Sequence, residues 1–224
     1  AGSDQFLRDS SANTDAGKTT KLIPDSYYLC LLELADLLDG SFDKSDEAMK
    51  IANRAIKIAP TIGTGYRILA RAYMLVGDMT MAAKTLNDGL KIMFHPEDIA
   101  TAYYQLAYIL WKSEKPELGL ACYMRSMMTS PVLASVCLSE MNELQETTGM
   151  TAPEIGDVDR ILAENDITIA PTDALLDTIS NAAIAALDEG LYKIARSLLT
   201  VVFTYRPDDA VVGVLRSLED RMFS

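Results

Sequence analysis

Apolar side chains recur at helical spacing, in paired stretches, through most of this chain. Between Pro60 and Pro96, Tyr66, Leu69, Ala70 and Tyr73 fall at i, i+3, i+4 and i+7. After Gly77-Asp78 a second stretch carries Ala82, Leu86, Gly89 and Leu90 in the same manner. A stripe of that period lies on one face of a helix, so the interval predicts two amphipathic helices joined by a turn. Tyr103, Leu106, Ala107 and Leu110, followed by Tyr123 and Ser126, repeat the pattern, and so do Ile179, Ala182, Ala183 and Ala186, followed by Tyr192, Ala195, Leu199 and Val202. The alternation of a half-buried strand is nearly absent.

Six prolines divide these pairs: Pro24, Pro60, Pro96, Pro131, Pro171 and Pro207, at intervals of 36, 36, 35, 40 and 36 residues. Proline lacks the N–H that an interior helix residue donates, so each marks a helix exit or the first turn of the next helix. Asp25, Thr61, Glu97, Thr172 and Asp208 follow five of them, with side chains that accept from free N–H groups at a helix start. Asp39-Gly40, Gly77-Asp78, Thr148-Gly149 and Glu189-Gly190 supply the left-handed residues that end a helix inside an interval. A period of this length means stacked supersecondary units, each too small to bury its apolar face alone.

The spacing resembles the tetratricopeptide repeat, a helix–turn–helix unit with a large residue, Leu and a small residue, an aromatic, then Ala, an aromatic, a small residue and a closing Pro. Three intervals keep that register. Two depart: the first has a long loop at Asp39-Gly40-Ser41-Phe42-Asp43-Lys44, and in the fourth Ala134, Cys137, Leu138 and Met141 make a first helix whose partner over Pro153–Asn165 matches poorly. The resemblance implies an all-α fold, an α-solenoid in which antiparallel helix pairs wind into a right-handed superhelix. The expected division is a polar tail over 1–23 and one repeat domain over 24–222. Its units would span about 24–60, 61–96, 97–131, 132–170 and 171–207, with a capping helix over 208–222.

Apolar residues at 49% and charged residues at 23% suit a folded helical domain. The longest uncharged run, Ser126–Ser139, contains Pro131 and falls short of the roughly 18–20 residues of a membrane span. A net charge of −12, from 20 basic against 32 acidic residues, argues against nucleic acid, whose phosphates are held by clustered Lys and Arg. Cys30, Cys122 and Cys137 form no Cys-x-x-Cys pair and are expected as small core residues, which leans the chain toward a reducing, cytoplasmic compartment. The first residue is not Met, which suggests a trimmed upstream segment, and export or anchoring through it is the alternative.

Candidate chemistry is sparse. Ala16-Gly17-Lys18-Thr19 looks like the end of a phosphate-binding loop, but Ala12 stands where its first Gly belongs and no strand precedes it, so a solvated linker is expected. His95, the only histidine, sits at a helix boundary, where a turn residue or dipole partner is expected. No nucleophile with its base, metal-ligand set or cofactor motif is visible, so no catalytic, metal or cofactor residues are assigned, and an enzyme is the remote alternative.

In the resembled family the first helix of each unit lines a concave surface that receives a peptide or partner helix. Carried over residue by residue, its groove positions fall on Leu29 and Glu33, on Arg67, Arg71 and Met74, on Tyr104, Tyr108, Trp111 and Lys112, and on Ser180, Ile184, Leu187 and Asp188. The middle sets make a cationic, aromatic strip, with Arg67 and Arg71 one turn apart, as are Tyr104, Tyr108 and Lys112. Against a binding role, long Arg stems lie over apolar surface, aromatics pack between units, and Glu33 is placed to pair with Arg67 or Arg71. The family's clamp for C-terminal carboxylates is not expected, because Leu29 and Glu33 occupy its first positions. The resemblance thus implies a noncatalytic adaptor or scaffold that binds a protein or peptide partner. The alternatives are a sequestering chaperone, suited by Leu29, Met74, Ile184 and Leu187, and a ligand-sensing regulatory domain. End repeats would be the surface for any homodimer.

Overall fold

A computed structural model describes residues 25–39 and 44–223, and these fall into two compact units, one ending at Ala170 and the other beginning at Pro171. The tail, its phosphate-loop look-alike and most of the long loop after Asp39 lie outside the described residues. Every described element is helical: the architecture is an all-α solenoid of helix pairs.

In the first unit the helices are α1 (Asp25–Asp39), α2 (Ser45–Ile58), α3 (Gly63–Leu75), α4 (Met79–Leu90), α5 (Pro96–Lys112), α6 (Pro116–Thr129), α7 (Ala134–Thr148) and α8 (Val158–Glu164). Consecutive helices pack as hairpins through α6, and α1, α3 and α5 also pack on one another in sequence. That double neighbourhood is what a stack of two-helix units requires. The expected apolar positions form its interior: Tyr28, Leu31, Leu32 and Ala35 pack with Ala52, Ala55, Ile68 and Leu69 in one cluster. Farther along, Tyr103, Leu106, Leu120 and Tyr123 are buried.

Local chemistry draws the helix ends. Pro96 and Pro116 open α5 and α6 at positions where a missing N–H goes unused. The Asp78 carboxylate accepts from the Met81 N–H and caps α4. Gly77 ends the α3 side of its hairpin at φ +82°. In the α5–α6 hairpin the corresponding place is held by Glu114 at φ +61°, a conformation in which a side chain is strained. Gly89 serves a different need. A Cβ there would stand 2.8 Å from the Tyr66 ring, so the bare backbone lets α3 and α4 close.

The fourth unit departs from the pattern. After α7, which ends at Gly149 in the left-handed region, the chain makes a 3₁₀ turn at Ile155–Asp157 and only seven residues of α8. Both α7 and α8 pack on α6. The chain then runs without regular structure through Ile167–Ile169, and three side chains hold its backbone. Asn87 donates to the Asp166 carbonyl and accepts from the Thr168 N–H. The Tyr103 hydroxyl donates to the Thr168 carbonyl and accepts from the Ala170 N–H. Arg125 donates to the Ala170 carbonyl and pairs with Asp159. The polar groups of a nonhelical segment are thus satisfied by α4, α5 and α6 in turn.

The second unit contains α9 (Asp173–Asp188), α10 (Tyr192–Tyr205) and α11 (Asp209–Phe223). Thr172 caps α9 by accepting from the Leu175 N–H, and Gly190 turns the chain at φ +73°. Leu176, Ile179, Ala183, Ala195 and Leu199 are buried between α9 and α10, and Leu218 of α11 is buried.

One expectation about the core is corrected. Cys122 and Cys137 are buried, but Cys30 is exposed, because it follows the Tyr28–Leu31–Leu32–Ala35 stripe round the helix to the opposite face.

Candidate functional site

The strip drawn from the sequence lies on α3 and α5, two helices that pack side by side. Tyr66 and Tyr103 share one register position and Gly77 and Glu114 another, 37 residues apart, which sets Arg67 against Tyr104, Arg71 against Tyr108 and Met74 against Trp111. Core residues fix this face outward. Tyr66, Leu69, Ala70 and Tyr103, Leu106, Ala107 turn into the hairpins, leaving Arg67, Met74, Tyr104, Tyr108 and Trp111 half-buried and Arg71 and Lys112 exposed.

The cations differ in what they meet. The Arg71 guanidinium donates to the Asp36 carboxylate of α1 at 2.6 Å, so part of its charge is answered within the chain. That partner is Asp36, one turn beyond the expected Glu33. Arg67 has no carboxylate partner among the described residues, and its Nε is buried without a hydrogen bond. Lys112 sets its ammonium 3.7 Å from the centre of the Trp111 ring and 5.3 Å from that of Tyr108, and the two rings meet edge to face at 6.4 Å. Such a cation keeps its charge and N–H donors free for a ligand anion. Met74 adds a flexible apolar contact in α3.

Tyr104 plays a different part from its neighbours. Its hydroxyl donates to Glu140 of α7 at 2.6 Å, and the buried Tyr123 of α6 donates to the other oxygen of the same carboxylate. Burial pushes both phenols above the ordinary tyrosine range, and the hydrogen bond to Glu140 and its negative charge push further in the same direction. Tyr104 therefore presents a ring held in place, while its hydroxyl is committed to the protein. Beside it on α5, the Gln105 side-chain carbonyl is buried without a hydrogen-bond partner.

The remaining groove candidates are scattered. Leu29 is 56% exposed on α1 and Ile184 is 55% exposed on α9. The Ser180 hydroxyl bonds back to the Leu176 carbonyl, Asp188 is exposed, and Leu187 faces a cavity bordered by Tyr192, Gly213, Val214 and Leu218. The seven strip residues lie on α3 and α5, and two residues that the sequence did not single out bond to them: Asp36 to Arg71 and Glu140 to Tyr104. Asp36 lies 35 residues before Arg71, and Glu140 lies 36 after Tyr104, so a carboxylate one repeat away was the available signal.

His95 stands exposed at the N-cap of α5, its ring 4.4 Å from that of Phe94. Among the described residues no group of three or more His, Cys, Asp or Glu is arranged to hold a metal ion, and no helix is long and apolar enough to cross a membrane.

Residues 100–132, which run from the second turn of α5 through α6 into the turn that follows, match the family model of the tetratricopeptide repeat. Among solved structures the chain is similar to YrrB, described as a tetratricopeptide repeat protein with an unusual peptide-binding site. Their identity is 17% and the TM-score 0.41, over 97% of this chain and 99% of that one. No curated protein matches the sequence.

Proposed function

We propose that this chain, whose residues 100–132 match the tetratricopeptide repeat model, is a noncatalytic protein-interaction module whose α3–α5 face binds an extended peptide or partner segment. The observation that carries this reading is the Tyr108–Trp111–Lys112 cluster, two half-buried rings topped by an exposed ammonium. Aromatic and guanidinium groups fixed by their own scaffold lose little freedom on binding, which is why they anchor interfaces. Tyr104 supports it, because its bonds to the protein leave only its ring to the ligand. The division of 24–207 into five units, with a cap over 208–222, belongs to the same proposal.

Peptides selected from a random display library against the full chain test it. Those that bind wild type should lose on the order of a hundredfold in affinity against Tyr108→Ala, Trp111→Ala, a double truncation of anchor residues. Selected peptides that keep their affinity would put the site elsewhere.

A sequestering role is the second reading, favoured by Leu29, Leu34 and Leu37, which are 56%, 45% and 76% exposed on α1. It predicts suppression of a client's aggregation that Leu34→Ser, Leu37→Ser removes and Tyr108→Ala, Trp111→Ala leaves intact.

A further inference from the structure

The charge on the strip is unevenly answered. Arg71, Arg125, Arg160, Arg196 and Arg206 each lie within ion-pair distance of a carboxylate. Among the described residues Arg67 has no carboxylate partner, and its buried Nε has no hydrogen bond. Lys112, exposed at the far end of the same face, has only the Trp111 and Tyr108 rings. Among the described residues these two cations of the α3–α5 face have no carboxylate within ion-pair distance, in a chain with 32 acidic residues against 20 basic ones.

The two cations are too far apart to share one anion. Arg67 holds the register position of Tyr104, and from Tyr104 to Lys112 the helix rises about 12 Å, at roughly 1.5 Å per residue. With about 9 Å between the axes of packed helices, the two sites stand roughly 15 Å apart. Extended chain covers that in about four or five residues, at roughly 3.3 Å each. Met74, Tyr108 and Trp111 lie on the face between them.

Resting on the groove reading above, we propose that the ligand is an acidic peptide that sets two carboxylates about four or five residues apart against Arg67 and Lys112, with an apolar side chain between them over Met74 and Tyr108. Charge-assisted bonds at two separated points fix the register of the peptide, and the aromatic surface between them supplies apolar contact. Arg71 is a positioning residue here, because Asp36 already holds it.

Trp111 is the only tryptophan, so its emission reports occupancy without a label. The probe is a short amidated peptide with two Glu separated by about four residues that include Phe, titrated into the full chain. Arg67→Gln and Lys112→Gln should each weaken it by about tenfold and together by about a hundredfold, with Arg67→Lys retaining part of the affinity. A version with one Glu and a free C-terminus in place of the other should regain affinity if a chain end fills one anchor; no gain assigns both to side chains. If the peptide binds as well with both Glu changed to Gln or Lys, or if Arg67→Gln changes nothing, the inference is overturned and the groove reading stands. If display-selected peptides are indifferent to Tyr108→Ala, Trp111→Ala, the groove reading falls, and this inference with it.

Discussion

Asp36 holds Arg71 at 2.6 Å across two helices of successive repeats. The pair is open to solvent, with 57% and 44% of the side chains exposed, so water and salt screen it. A double-mutant cycle on Asp36→Ala and Arg71→Ala is expected to give a coupling of about 0.2–1 kcal/mol, falling as salt rises. Urea unfolding at low and high ionic strength measures it. A coupling of several kcal/mol would mean that the pair is a structural clamp and that Arg71 is unavailable to any ligand.

Glu140 ties the face to α7 by accepting from Tyr104 and Tyr123. Glu140→Gln keeps the shape but offers one carbonyl acceptor where two oxygens stood, and its amide hydrogens turn toward the second phenol. The expected loss is about 1–3 kcal/mol in urea unfolding, with weaker peptide binding because the Tyr104 ring is no longer fixed. Unchanged stability would show that the two phenols find other partners.

The tyrosines predict an alkaline transition. Burial first, then the Asp88 charge, lift Tyr66 to about 12, and burial lifts Tyr103 to about 12 against the opposing pull of its bond to Ala170 and the nearby Arg125 charge. Tyr104 and Tyr123 are raised as well. A phenol whose folded value exceeds its unfolded value of 10 favours folding fully below pH 10, and that contribution is lost as pH climbs through the folded value. Absorbance at alkaline pH should show these four titrating late, together with the loss of helical ellipticity. All ten tyrosines ionising in one step near pH 10, with ellipticity intact, would contradict it.

Glu114 offers a gain. It sits at φ +61° where Gly77 and Gly190 serve the other hairpins. Glu114→Gly should raise stability by about 0.5–1 kcal/mol, since Gly enters this region without steric cost, less what it adds to the freedom of the unfolded chain. The midpoint of urea unfolding reports the sign.

Much of this fold was legible because it is local. The apolar stripes of α3 through α6 and the prolines and glycines at their ends state helix, turn and helix within one interval, and Tyr66, Leu69, Tyr103 and Leu106 are buried where that pattern put them. The stretch after α8 was illegible because its stability is not local. Residues 166–170 carry no periodic signal, and Asn87, Tyr103 and Arg125, 45 to 81 positions away, satisfy their backbone. The same holds for the site. Which residues share the α3–α5 face follows from helical spacing, whereas which cation a neighbouring carboxylate holds depends on rotamers between repeats, so Asp36 rather than Glu33 had to be seen.

The central claim is that the α3–α5 face receives the ligand. The single indole N–H resonance of Trp111 tests it directly, in a titration of the full chain with a display-selected peptide whose affinity is known from calorimetry. This resonance is expected to move in step with occupancy, and Tyr108→Ala to weaken both signals together. A peptide that binds by calorimetry while the Trp111 resonance stays still would contradict it.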